Sequence, residues 1–264
     1  AALLALFAIL FGARRYELAG RSEGLVYAIG LESVIKIVAL TAVAGAAVML
    51  LINADPVAVS GGMDLLATNF RPERLSVDFG VIFLISIMAI IALPRQFYMG
   101  LVEAQEPGSL DRARFGLAAY LAVMALMALP IALAGASLIQ TGEGSDVYVL
   151  QVPALSDNGA VLVLALVGGI SAAASMVIVD STALATMVSN DLIFPALARA
   201  RQTDAAAGAL GRRMLQVRRV SILGIVTAAL AWALLIPAEN TLASIGLIAF
   251  AAMAQFTPHL ILAT

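Results

Sequence analysis

The sequence predicts an all-α polytopic membrane protein, and three observations predict it. Hydrophobic residues make up 62% of the 264 and charged residues 12%, with a mean hydropathy of +1.02, too little polar surface to cover a soluble globule. Apolar runs recur along the whole chain, several of them near the roughly 20 residues a helix needs to cross a bilayer. Arginines collect in every second connection between those runs. Cysteine is absent, which excludes disulfides and thiolate metal sites, and the net charge of −2 carries little information in a chain of this kind.

Seven segments are expected: I, residues 1–11; II, 24–52; III, 79–101; IV, 115–139; V, 160–188; VI, 220–235; VII, 242–264. Segment I opens inside an apolar run without an initiator Met or the charged start of a signal peptide, so the chain reads as a piece of something longer. The I/II connection carries Arg14, Arg15 and Arg21, III/IV carries Arg112 and Arg114, and V/VI carries Arg199, Arg201, Arg212, Arg213, Arg218 and Arg219. Together these are 11 of the 15 basic residues. Arg71 and Arg74 in II/III sit among Asp55, Asp64, Glu73 and Asp78, while IV/V and VI/VII have no basic residue. The positive-inside rule places the arginine-rich connections in the cytoplasm. Residues 53–78, with Pro56, Gly61, Gly62 and Pro72, form an extracytoplasmic loop with room for a short surface helix, and 198–211 read as a flexible cytoplasmic connector. No soluble domain is expected within the chain. The arginines lack interleaved aromatics, which argues against nucleic acid.

Polar groups inside the apolar segments mark where chemistry is to be sought. Segment II holds Glu32 and Lys36, four apart and able to neutralise one another on one helical face. In segment III, Pro94 precedes Arg95 and Gln96; proline removes a backbone donor and crowds the preceding turn, so the helix should break there with Gln96 lining a polar cavity. Arg95 either lines that cavity or snorkels to the cytoplasmic interface.

Segment V is the richest. At about 100° per residue from Ser171, Ser175 falls near 40°, Thr182 near 20°, Thr186 near 60° and Ser189 near 0°, a single hydroxyl face. Taken singly, each hydroxyl is most simply read as bonding the carbonyl one turn back or holding a neighbouring helix close. Taken together, the row favours a site for a weakly hydrated cation or small polar solute, because each oxygen can replace a lost water. Ser171, Ser175 and Thr182 are the cation candidates, with Thr186 and Gln96 facing a solute cavity. Asp180 points the other way and either pairs with Lys36 or Arg95 or titrates as a proton carrier. His259 is expected to be structural. No nucleophile–base pair or metal cluster is visible, so an intramembrane enzyme is the weakest reading.

The stretches FGARRYELAGRSEGLVYAIGLESVIKIVA, LPRQFYMGLVEAQEPGSL, DVYVLQVP, SAAASMVIVDSTALATMVSNDLIFPAL and LASIGLIAFAAMAQFTP together resemble the sodium/solute symporter family, in particular the branch whose membrane domain is fused to a cytoplasmic sensor histidine kinase. The resemblance implies a LeuT-type bundle of two inverted repeats, of which the chain supplies core helices four to ten. It also implies a small solute such as an amino acid, a possible sodium ion, ATP in the kinase domain joined in cis, a response regulator as partner, and a place in the inner (plasma) membrane. In the symporters the eighth core helix gives two adjacent hydroxyls to sodium; counting back about sixteen residues from Asp191 reaches Ser175 and then Met176, a thioether and a poor ligand for a hard cation. A free-standing sodium- or proton-coupled symporter is the alternative.

Overall fold

The computed structural model describes residues 2–12, 23–69, 71–72, 77–97, 108–139, 144–199, 207–235 and 241–262. Among them every regular element is helical: α1 Ala2–Gly12, α2 Glu23–Ile52, α3 Pro56–Asn69, α4 Val77–Ala92, α5 Pro94–Phe97, α6 Ser109–Leu138, α7 Tyr148–Leu155, α8 Gly159–Met187, α9 Phe194–Arg199, α10 Ala207–Leu235, α11 Leu242–Ala254 and α12 Thr257–Leu262. A 3-10 turn, Ser145–Val147, leads into α7, and a π-helical turn, Val188–Ile193, follows α8. Five stretches among the described residues are long and apolar enough to cross a membrane: Val26–Ile52, Ala113–Leu138, Gly159–Ala196, Gly211–Leu235 and Leu242–His259, with Val77–Ala89 apolar but shorter. The protein is a multi-pass helical membrane protein.

Local chemistry sets the boundaries. Asp55 caps α3, its Oδ1 accepting the Val57 amide at 2.9 Å, and Pro56 follows at the first helical position, where a missing N–H costs nothing. The expected surface helix in this loop is therefore α3. Segment III is interrupted at Leu93 as its proline demands; the chain resumes with the Phe97 amide bonded to the Leu93 carbonyl at 3.0 Å, and residues 98–101 lie outside the described residues. Asp157 takes a left-handed φ of 54° in the turn before α8, a conformation that aspartate tolerates better than most residues. Segment VII is two helices, with Pro258 in the first turn of α12.

Two boundaries differ from the sequence expectation. The α10 helix begins at Ala207, thirteen residues ahead of the apolar run at Val220, because AGALGRRMLQVRR is polar in hydropathy yet, its two glycines and one valine aside, is built of the good helix formers Ala, Leu, Met, Gln and Arg. The sixth segment is thus an arginine-bearing stretch continuous with the apolar run, and Arg212, Arg213, Arg218 and Arg219 ride on one helix with it. Likewise α6 starts at Ser109, six residues early, so Arg114 is helical and its guanidinium lies 4.8 Å from the centre of the Phe115 ring. Residues 200–206 of the expected connector lie outside the described residues.

The chain forms two compact units. In the first (1–31, 93–105, 173–238), α1 and α10 pack together, and α10 and α9 pack on the π-helical turn. Its core joins Ala5 and Ala8, Ala185, Ile222 and Val226. In the second (32–92, 106–172, 239–264), α3 packs on α6, and α4 on α11 and α12, around a core that includes Val43, Ala47, Ile131, Ala134, Val152 and Ala165. Small side chains dominate both cores, as helices approaching closely in lipid require. Gly168 shows how closely: a Cβ there would stand 2.5 Å from the Ala39 Cβ. Large apolar side chains face outward instead; Leu31, Leu84, Leu121, Ile170 and Leu234 are all exposed, as lipid-facing positions should be. Tyr27, near the start of α2, and Trp232, near the end of α10, are exposed at helix ends, where aromatic belts form.

Candidate functional site

Four hydroxyls in the C-terminal half of α8 and the turn that follows it are held by their own helix. Thr182 donates to the Ile178 carbonyl at 2.6 Å and Thr186 to the Thr182 carbonyl at 2.8 Å; Ser181 donates to the same Ile178 carbonyl at 3.2 Å. Ser189 donates to the Thr186 carbonyl at 3.2 Å and lies 3.1 Å from the Asn190 side-chain oxygen. Each proton is thereby fixed, and each oxygen keeps lone pairs pointing away from the helix axis. An oxygen in that state can accept, and a cation or a donor group is what it can accept from.

The row is not uniform. Thr182 is 2% exposed, Ser181 2% and Ser189 fully buried, whereas Ser175, Thr186 and Ser171 are half-buried. Ser175, Thr182 and Thr186 belong to the first unit, and Ser171 falls in the second. A π-helical turn begins at Val188, so Ser189 sits in that wider turn rather than in α8 itself. Such turns cluster at functional positions because they leave carbonyls unpaired by the regular ladder. Met176 is 50% exposed and Asp180 half-buried.

The remaining candidates belong to other helices. Lys36 Nζ reaches Glu32 Oε1 at 2.6 Å, with Glu32 4% and Lys36 23% exposed, so the i, i+4 pair forms on α2. Gln96 is exposed on α5, just after the break, and the Arg95 side chain lies outside the described residues. Among the described residues no group of three His, Cys, Asp or Glu could hold a metal ion. No protein family, curated protein or solved structure matches the chain.

Three residues have surroundings that the sequence does not assign to them. Arg218, counted among loop arginines, is 4% exposed on α10 in the buried row Met214, Arg218, Ile222 and Val226. Its four-residue spacing to apolar neighbours was the signal. Ser181 shares the Ile178 carbonyl with Thr182 and could have been noticed as the hydroxyl adjoining it. Ser137 is buried on α6 against Gly62 of α3, where a Cβ on Gly62 would overlap its hydroxyl; no sequence pattern announces that contact.

Proposed function

We propose that the chain is the solute-sensing or transporting membrane domain of a sodium/solute symporter-like sensor histidine kinase. In this reading it is a LeuT-type inverted-repeat bundle of about seven membrane helices in the inner (plasma) membrane. It binds a small solute such as an amino acid and passes occupancy to an ATP-using kinase joined in cis and on to a response regulator. The observation that carries the proposal is Thr182: a hydroxyl almost wholly enclosed within an apolar span, its proton committed to the Ile178 carbonyl, its lone pairs left to accept. On the same helix Thr186 lies one turn beyond Thr182 and Ser175 two turns before it, and the resemblance places a sodium-coordinating hydroxyl at Ser175. Met176 offers sulfur where those symporters have a second oxygen, which favours sensing, or coupling to another ion, over strict sodium dependence.

The test is binding of the standard amino acids to the purified protein in nanodiscs, measured across a sodium titration. Ser175→Ala or Thr182→Val is expected to weaken the binding of the responsive amino acid by about 2- to 12-fold, the loss of one neutral hydrogen bond. Asp180→Asn is expected to lower expression with little change in affinity. Unchanged affinity in both hydroxyl variants, with loss of binding in a well-folded Asp180→Asn protein, would move the site to the opposite face. Sodium-driven uptake into proteoliposomes, with no effect of the solute on kinase output, would favour the free-standing symporter.

A further inference from the structure

The second unit contains a cavity of about 760 Å³, within the size range of small-molecule sites. Leu65 of α3 and Ile131 and Ala136 of α6 stand for its walls; among the described residues these are apolar except for three that bear hydroxyls, Thr68, Ser145 and Tyr148, and no charged side chain lines the cavity. The Thr68 hydroxyl donates to the Asp64 carbonyl at 2.8 Å and keeps its lone pairs, and the Tyr148 hydroxyl makes no hydrogen bond among the described residues.

The wall that carries Ser145 and Tyr148 is fixed at two points. The Tyr148 ring lies on Gly135 so closely that any Cβ at that position would overlap it. Asp146, in the 3-10 turn, accepts the Leu242 amide at 2.8 Å at the start of α11. The cavity is therefore framed by anchored backbone.

We infer that this cavity is a second ligand site, reached from the extracytoplasmic end of α6, for a neutral amphiphile: an apolar body bearing one hydroxyl. The apolar wall takes the body, Tyr148 donates to the polar end, and Thr68 or Ser145 accepts from it. An ionised ligand would lose its hydration here without meeting a counter-charge, which the lining excludes. This inference is independent of the α8 reading, since none of the lining residues lies on α8.

The same chemistry could come from the bilayer as a long-chain alcohol or from water as a small aromatic alcohol, and photolabelling separates the two. The protein in phosphatidylcholine nanodiscs is exposed to a diazirine derivative of hexadecanol and, separately, to a diazirine-bearing benzyl alcohol, with the matching benzoic acid as charged control. Adducts are located by mass spectrometry. Labelling of residues 131–136 and 145–149 by one of the alcohols and not by the acid is expected, and the alcohol that labels identifies the source. Ala136→Phe should abolish those adducts by filling the space, and Tyr148→Phe, which changes only the hydroxyl, should weaken labelling by about 2- to 12-fold while leaving thermal stability in place. Adducts spread evenly over all exposed apolar helices, equal labelling by the acid, or full labelling of Tyr148→Phe would overturn the inference. Amino-acid binding through α8 should be untouched in Tyr148→Phe, so failure here and failure there are distinguishable.

Discussion

Lys36 and Glu32 carry opposite charges into an apolar helix, and each is tolerable there only because of the other. Removing one partner strands a charge in a poorly polarisable medium. Lys36→Met is therefore expected to destabilise the protein by roughly 3 kcal/mol, and Glu32→Gln/Lys36→Met to recover most of that, measured as thermal stability in detergent. A double variant no better than the single would mean that the pair is not the relevant interaction. Arg218 supplies a second residue-scale test. Its buried stem and head pack in the row from Met214 to Val226, so Arg218→Ala should cost about 2 kcal/mol, whereas Arg213→Ala, on the exposed side of the same helix, should stay within about 0.5 kcal/mol. The Glu32–Lys36 pair was legible because helical spacing alone dictates it. Arg218 was not, because the topology rule counts arginines by connection and is blind to which face of a helix each one takes. The α8 hydroxyl row was legible as an angular pattern, but the bonds its members make depend on χ1, which residue identity leaves open for Ser and Thr.

At the level of elements, proline and glycine decide most of what happens. Pro94→Ala would restore the backbone donor missing between α4 and α5, and amide exchange over residues 94–97 should slow as one helix replaces two. If the break serves solute response, the same variant should blunt it. Gly168 and Gly169 form a matched pair: the first meets Ala39, the second has open space beside it. Gly168→Ala should cost about 1–3 kcal/mol through overpacking, while Gly169→Ala should be neutral or stabilise by up to about 1 kcal/mol, read by thermal denaturation. The position of the α4–α5 break, the surface helix in residues 53–78 and the starts of α2 and α11 could be read from turn chemistry and hydropathy. The start of α10 could not, because hydropathy reports where lipid begins and a helix can begin before it.

For the whole molecule, the arrangement of arginines makes a claim about sidedness. A cysteine at Ser145 should react with an impermeant maleimide added outside intact cells, and one at Arg212 should not; the opposite pattern would invert the topology. Multi-pass character followed from composition and segment length. The grouping of helices into two units did not, since it depends on which faces meet, and small apolar residues such as Ala and Gly are scattered along every helix without marking a partner.

One pairing sets a clock. The α4 helix packs on α11 and α12, and Thr257 ties to it by donating to the Met88 carbonyl at 2.8 Å. During synthesis α4 is complete at Ala92, but α11 ends only at Ala254, about 160 residues later, or roughly 8 to 30 s at cellular elongation rates. Throughout that interval α4 is without these partners. Its outward-facing Phe79, Phe83 and Leu84 suit it to lipid, and a nascent chain released before Leu242 would leave the Met88 carbonyl without the hydroxyl that Thr257 brings.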